Sequence, residues 1–231
     1  MSENIEGTKK QEDSKISNTI TKTTGQVTKQ WGQMGSWVHY YDLLMVLMTL
    51  GREKKLRQDT IHLARIKQGD TVLEVGCGTG SLTIAAKKHV GSSGKVAGID
   101  IAPEMVAVAS RKATRKGIDV SYQIGSIENI PFPDNCFDIV ICSFMIFHMP
   151  EDVRRKGFPE IYRVLKSGGH LFILDAALSE KQRQRRPDHL HDVRELAPVL
   201  KENLFTDIEM EKTTIKFMGV QFWFLRGKAK K

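Results

Sequence analysis

The chain has 231 residues, 40% of them hydrophobic and 7% aromatic, with 35 Lys and Arg against 27 Asp and Glu for a formal charge of +8. That length supports one sizeable core without staples and falls short of two full domains, and three cysteines (Cys77, Cys136, Cys142) without CxxC spacing argue for a reducing, cytoplasmic setting over a disulfide frame or a zinc site. The opening residues lack the pattern of a secretory signal, the run Leu43 to Leu50 is far shorter than the ~20 residues that cross a bilayer, and the positive charge is scattered over five short clusters, so neither export, nor a membrane span, nor a nucleic-acid partner is expected.

Residues 1–30 are rich in Ser, Thr, Gln, Lys and Glu, with Ile5, Ile16, Ile20 and Val27 nearly their only apolar members. Such a segment buries too little surface to offset its ordering entropy, so a loosely ordered arm is expected, followed by a single domain over 31–231. Within it, 31–68 reads as a helical cover: Trp37, Tyr40, Tyr41 and the dense apolar run to Leu50, then a helix over Arg52 to Ala64. After the turn signal Gln68-Gly69-Asp70, short apolar strands alternate with helices. The strands are Val72 to Val75, Val96 to Ile99, Val120 to Ile124, Phe137 to Ser143 and Leu171 to Leu174. Helices fall around Leu82 to His89 and Met105 to Lys116. This alternation predicts an α/β, Rossmann-like, doubly wound parallel sheet. The helix before the fifth strand carries Gly157 and Pro159, so a kink or a late start is expected. Glu195 to Leu204 predicts one more helix, and Ile208 to Ile215 with Gly219 to Leu225 a C-terminal antiparallel hairpin, giving seven strands.

The most specific segment is Val72-Leu73-Glu74-Val75-Gly76-Cys77-Gly78-Thr79-Gly80, placed where strand becomes helix. Glycines there let the backbone turn sharply and approach a nucleoside ligand beyond the strand ends. A dinucleotide fingerprint starting at Gly76 needs its third glycine at 81, where the chain has Ser81. Glu74 just before the loop repels a pyrophosphate and suits a cationic ligand. Asp100 lies 100 − 78 = 22 residues beyond Gly78, close to the ~20 expected of an acid that binds ribose hydroxyls.

With these residues the sequence resembles the class I S-adenosylmethionine-dependent methyltransferases from about Asp70 to Asp175. Gly98-Ile99-Asp100, Glu128 to Asp138, and Arg163-Val164-Leu165-Lys166-Ser167-Gly168-Gly169 match in order. The resemblance implies S-adenosylmethionine as cofactor. Glu74, Gly76, Cys77, Gly78 and Gly80 would surround its methionine part, Asp100 would hold the ribose and Ile101 would pack on the adenine. Ser126, Ile127 and Ser143 complete the implied cofactor-binding set. Ser126 departs from the usual Asp, which implies weaker adenine binding. The lead-in Tyr41-Asp42-Leu43-Leu44 is similar to that of the ubiquinone and menaquinone C-methyltransferases. Met45, Val46, Phe147-His148 and Leu225 depart from that subgroup.

Methyl transfer from a sulfonium is an in-line displacement, accelerated by alignment and exclusion of water. A neutral amine acceptor needs no base, whereas a phenol or carbon acid does. The candidates are His148 after the fourth strand, Asp175 after the fifth, and His39, Tyr40 and Tyr41 in the cover; His148 and Tyr41 are the catalytic expectations. Asp188 to Asp192 reads as a polar turn, and no metal is expected. Asp138 and Cys77 read as structural. The aromatic and Met-rich cover suits a small lipophilic or aromatic acceptor, such as a quinone precursor, phenol or lipid amine. Lys181, Arg183, Arg185 and Arg186 offer either a solvated loop or contact with an anionic membrane surface. A cofactor-binding partner subunit without catalysis and a nicotinamide-dependent oxidoreductase are the alternatives, and the sequence leaves the oligomeric state open.

Overall fold

A computed structural model describes residues 38, 40–179, 192–217 and 220–231, within a compact unit that begins at Ser36. The expected arm over 1–30, His39 and the basic run 181–186 lie outside the described residues. In chain order the elements are α1 (Tyr41–Met48), α2 (Glu53–Leu63), β1 (Thr71–Val75), α3 (Ser81–Val90), β2 (Lys95–Asp100), α4 (Pro103–Arg115), β3 (Ser121–Ile124), β4 (Phe137–Ser143), α5 (Glu151–Val164), β5 (Leu165–Ala177), α6 (Leu196–Glu202), β6 (Phe205–Phe217) and β7 (Val220–Ala229). The strands form one seven-stranded sheet in the order β3-β2-β1-β4-β5-β7-β6. Pairs from β3 to β5 are parallel, whereas β7 runs antiparallel to both β5 and β6.

Both faces of the parallel strands are covered, which is why they read as continuous apolar runs instead of alternating ones. Leu73, Ile99, Val140 and Leu171 face α5 and α6 with Phe158, Ile161 and Leu196. Val72, Val96, Ile141 and Phe172 face the opposite layer with Ile61, Leu82 and Val90 of α2 and α3. The chain leaves β1 for β2 on one side, while β4 pairs with β1 on the other. The order reverses at that point, so a crevice opens beyond the carboxyl ends of β1 and β4.

Two elements differ from the sequence expectation. Helix α5 neither starts late nor stops at Pro159: it runs from Glu151, with Glu151 and Asp152 in its first turn favouring the positive helix end. Pro159 removes the donor for the Arg155 carbonyl, and both residues lie on the exposed face, where water takes that bond. Strand β5 is longer than Leu171 to Leu174 because Phe137 pairs with Leu165 before the register shifts to Ile139 and His170. The residues between, Lys166 to Gly169, form a bulge inside the strand. At the amino end of β4, Asp138 accepts from the Thr71 N–H at 2.8 Å and from Lys166, a structural role as expected. Arg163 binds the carbonyls of Ile130 and Phe132 and the carboxylates of Asp134 and Glu160, tying the matched segment after β3 to α5.

Gly157 sits where α5 meets Ile127, and a Cβ there would lie 2.6 Å from Ile127 Cγ1. Gly to Ala in an open helix stabilises by ~1 kcal/mol, but overpacking costs ~1–3 kcal/mol. Gly157→Ala is therefore expected to destabilise by about 1 kcal/mol in urea unfolding, and Ile127→Ala in the same chain to recover part of that loss in a double-mutant cycle.

Candidate active site

The loop after β1 is bent by two amides sharing one acceptor: the N–H groups of Gly76 and Cys77 both donate to the Ile99 carbonyl, at 2.8 and 2.9 Å. Gly80 has φ +72° and precedes α3 where a side chain would meet Tyr122 and Ala109, so glycine is required on both counts. Gly76, at φ +71°, lies against Met145, whose Sδ would be 2.7 Å from a Cβ. Above Gly78 nothing comes within 4 Å, leaving a backbone surface open to a ligand.

A cavity of about 800 Å³ reaches this loop and is lined by Glu74, Gly76, Cys77, Gly78 and Ser143 together with Tyr41 of α1. Glu74 is 4% exposed and accepts from the Thr83 hydroxyl at 2.5 Å. Burial pushes its carboxyl up to about 8, against the Thr83 hydrogen bond and with the Asp100 charge adding to the rise. The Cys77 thiol is likewise pushed up by burial, which makes it a packing group and not a nucleophile.

Asp100 closes β2 and turns back on the loop, its Oδ2 accepting from Gly78 N–H at 2.8 Å and its Oδ1 from Ala102 N–H at 2.9 Å. Burial raises its carboxyl despite those donors. Gly125 N–H donates to the Asp100 carbonyl at 3.0 Å, which brings Ser126 beside it. The Ser126 hydroxyl accepts from Glu128 N–H at 3.2 Å. Gly80, Asp100, half-buried Ile101, Ser126 and Ile127 border the loop or its neighbours without lining the cavity. The Ile127 side chain is in the core against Gly157, so any contact it makes with a ligand falls to its main chain.

After β4, Phe144 adopts φ +58°, stacks edge-on against Phe222 at 5.0 Å and donates its N–H to the Leu174 carbonyl. His148 ends the following short helix, Ile146–His148, which begins directly after Met145, the residue that meets Gly76, and the His148 side chain lies outside the described atoms. Asp175 is not available as a base. Its buried carboxylate accepts from Phe147 N–H at 2.9 Å and Ala176 N–H at 2.8 Å, holding the turn that carries His148, while burial pushes it up to about 6.

Sequence reasoning missed the clasp between the cover and the loop. Asp42 of α1 accepts from the Thr79 hydroxyl at 2.7 Å and pairs with Lys112 of α4 at 2.5 Å, and Lys112 also donates to Ser81 at 3.0 Å. Burial pushes Asp42 up, but the Lys112 and Thr79 hydrogen bonds outweigh it and hold the carboxyl low. Tyr41, next to it, has its phenol raised by burial and then by the charges of Asp100, Asp42 and Glu74. It stays protonated at neutral pH, so it can donate a hydrogen bond but cannot serve as the base. Asp42 stood in the Tyr41-Asp42 lead-in without a role, and Lys112 was hidden in a cationic run. Thr83 was the recoverable residue, since the first turn of α3 follows a loop that starts from Glu74. Among the described residues no group of three or more His, Cys, Asp or Glu could hold a metal.

Comparison with known proteins agrees with this geometry. Residues 72–169 match the methyltransferase domain family. A ubiquinone/menaquinone biosynthesis C-methyltransferase UbiE from Hydrogenovibrio crunogenus is 38% identical over 152 residues, covering 65% of this chain and 59% of that relative. A demethylmenaquinone methyltransferase from a Geobacillus species is 34% identical over 139 residues, covering 60% and 58%. The matches thus span less than two thirds of these relatives. Among solved structures, an S-adenosylmethionine-dependent methyltransferase from Aquifex aeolicus aligns with TM-score 0.62 and 26% identity over 75% of this chain and 89% of that one. The [4+2]-cyclase SpnF shares the fold at TM-score 0.66 and 21% identity, over 76% and 80%. Fold, loop and family match make residues 72–169 similar to the class I S-adenosylmethionine-dependent methyltransferases. Within that class, the curated relatives described are ubiquinone and menaquinone C-methyltransferases.

The site fits the cofactor of that class. S-adenosylmethionine is cationic at sulfur and carries no phosphate, and the loop offers it the Glu74 carboxyl, whose ionisation a cation would favour, and the open face of Gly78, with Asp100 bonded to the Gly78 amide.

Because folding raises the Glu74 pKa from 4.5 to about 8, its stabilisation is complete below pH 4.5 and is lost as pH rises through 8. Melting temperature is expected to fall between pH 5.5 and 8.5 less steeply in Glu74→Gln than in the parent. The Asp42 clasp, half exposed, contributes roughly 1–2 kcal/mol. Asp42→Ala should therefore speed amide exchange in Tyr41–Met48 about five- to thirtyfold and leave β1 and β4 protected.

Proposed function

We propose that this protein transfers a methyl group from S-adenosylmethionine to a small lipophilic or aromatic acceptor, with a quinone precursor as the leading class. The observation that carries the reading is a buried acid, Glu74, whose carboxyl a cationic ligand would ionise, beside the open backbone of Gly78 in a cavity that α1 also lines. Bound there, the cofactor supplies an electrophilic methyl group on a sulfonium. Glu74 and Asp100 hold its charged and hydroxyl-bearing parts, Ile101 packs on its base, and the main chain at Ser126 and Ile127 borders it. The chain's own contribution to rate is positioning and dryness: Tyr41, Met45, Val46 and Phe144 line the cavity and keep water from the reacting atoms.

The acceptor class is supported by that apolar lining and by the printed names of relatives at 34–38% identity. A carbon or phenol acceptor must lose a proton, and His148 is the residue we propose for that step, since Tyr41 is held protonated and the Asp175 carboxylate is occupied by backbone donors. Tyr41 then serves as a donor that orients the acceptor.

Calorimetry is expected to show S-adenosylmethionine binding and no binding of NADH, with Asp100→Ala weakening the former at least about tenfold. Labelled methyl from S-adenosylmethionine, incubated with an extract of the source organism, should enter the solvent-soluble lipid fraction. Label confined to the aqueous fraction would discard the quinone class, and binding without any label would favour a non-catalytic partner subunit.

A further inference from the structure

The cover helix is two-faced, and its outer face has no partner in the described fold. Tyr41, Asp42 and Met45 point to the cavity, whereas Tyr40, Leu43, Leu47 and Leu50 are 61, 56, 65 and 85% exposed. Leu43 and Leu47, four residues apart, share one face of the helix, Tyr40 stands at its start, and Leu50 follows its end in the turn. Single exposed leucines are ordinary on a protein surface; four large apolar side chains within one short segment mark a contact surface.

The cavity that α1 caps has a cationic mouth. Lys54, Lys88, Arg115 and Lys116, from α2, α3 and the end of α4, line it with Met45 and Val46 and are all exposed. None of the four has an ion-pair partner among the described residues. The nearby acids are already engaged, Asp42 by Lys112, Glu53 by Arg57 and Asp59 by Lys55. An apolar stripe and a ring of unpaired cations therefore border one opening.

We propose that α1 and the cavity mouth form a docking face for an anionic lipid surface. The apolar stripe enters the acyl boundary, the four cations meet lipid phosphates, and the cavity opens toward the phase in which a lipophilic acceptor is dissolved. A second copy of the chain fits this face less well, because two cationic rings would be brought together. The inference rests on the lipophilic-acceptor reading and uses described residues only, with no part for the Lys181 to Arg186 run.

The test uses the full chain, floated with vesicles of phosphatidylcholine alone or mixed with phosphatidylglycerol. Flotation is expected with the anionic vesicles only, weaker at high salt, and reduced about tenfold or more by Leu47→Gln with Leu50→Gln and separately by Arg115→Gln with Lys116→Gln. An environment-sensitive fluorophore on Leu50→Cys should shift to the blue only when those vesicles are added. Calorimetric cofactor binding by the Leu47→Gln, Leu50→Gln chain should match the parent, showing an intact fold. Absence of flotation by the parent, flotation indifferent to both variant pairs, or a fluorophore already shifted without vesicles would overturn the proposal, the last because another part of the chain or a second copy covers the stripe. Loss of cofactor binding or of lipid labelling in the parent strikes the proposed function instead, and is read independently of flotation.

Discussion

One carbonyl oxygen, that of Ile99, accepts from both Gly76 and Cys77, and the site is arranged around that shared acceptor. The two donations stop β1 from continuing, fold its exit over the end of β2 and point the chain into α3. They occur where the strand order reverses, so the bend faces a crevice and not a neighbouring strand. Asp100, one residue beyond Ile99, is thereby brought to the Gly78 amide, and through its own carbonyl to Gly125. Three loops from three strands become one surface because they share a hinge one peptide wide.

Charge completes what the backbone begins. Glu74, Asp100 and Asp42 converge on the loop, and among the described residues the one cation paired into that group, Lys112, is engaged by Asp42. Burial raises the first two, which favours their protonated forms, and a cationic ligand beside them would favour ionisation again. The same field keeps the Tyr41 phenol and the Cys77 thiol protonated. The turn after β4 is held from behind by Asp175, which accepts from Phe147 N–H.

Much of this was legible in the chain. The doubly wound sheet follows from apolar runs alternating with amphipathic helices, and the loop from its glycines and flanking acids, because both are local patterns with strict steric causes. The start of α5 at Glu151 was not legible: whether Gly157 and Pro159 delay a helix depends on which of its faces meets water, a property of the packed fold. The β5 bulge was hidden for a similar reason, since Ser167-Gly168-Gly169 signals a turn unless a partner strand is there to pair on both sides. The Asp42 clasp joins residues 37 and 70 positions apart, Thr79 and Lys112, and no short-range pattern announces such a pair. Ile127 shows the converse: an apolar residue beside a binding loop reads as a ligand contact, but its side chain goes to Gly157.

The attachment of α1 has a consequence for how such a protein changes over time. Its polar hold on the rest of the molecule is a single carboxylate gripped by Thr79, Ser81 and Lys112, and its outer stripe contributes nothing to the core. Neither buried apolar cluster of the sheet contains a residue of this helix. A lineage that keeps the carboxylate can therefore exchange nearly every other residue of the cover, and with it the shape of the chamber above the loop, without disturbing the nucleoside platform beneath. Acceptor preference and cofactor use are separately heritable in such a molecule, and one sheet architecture can accumulate many chemistries through turnover of a short, weakly fastened roof.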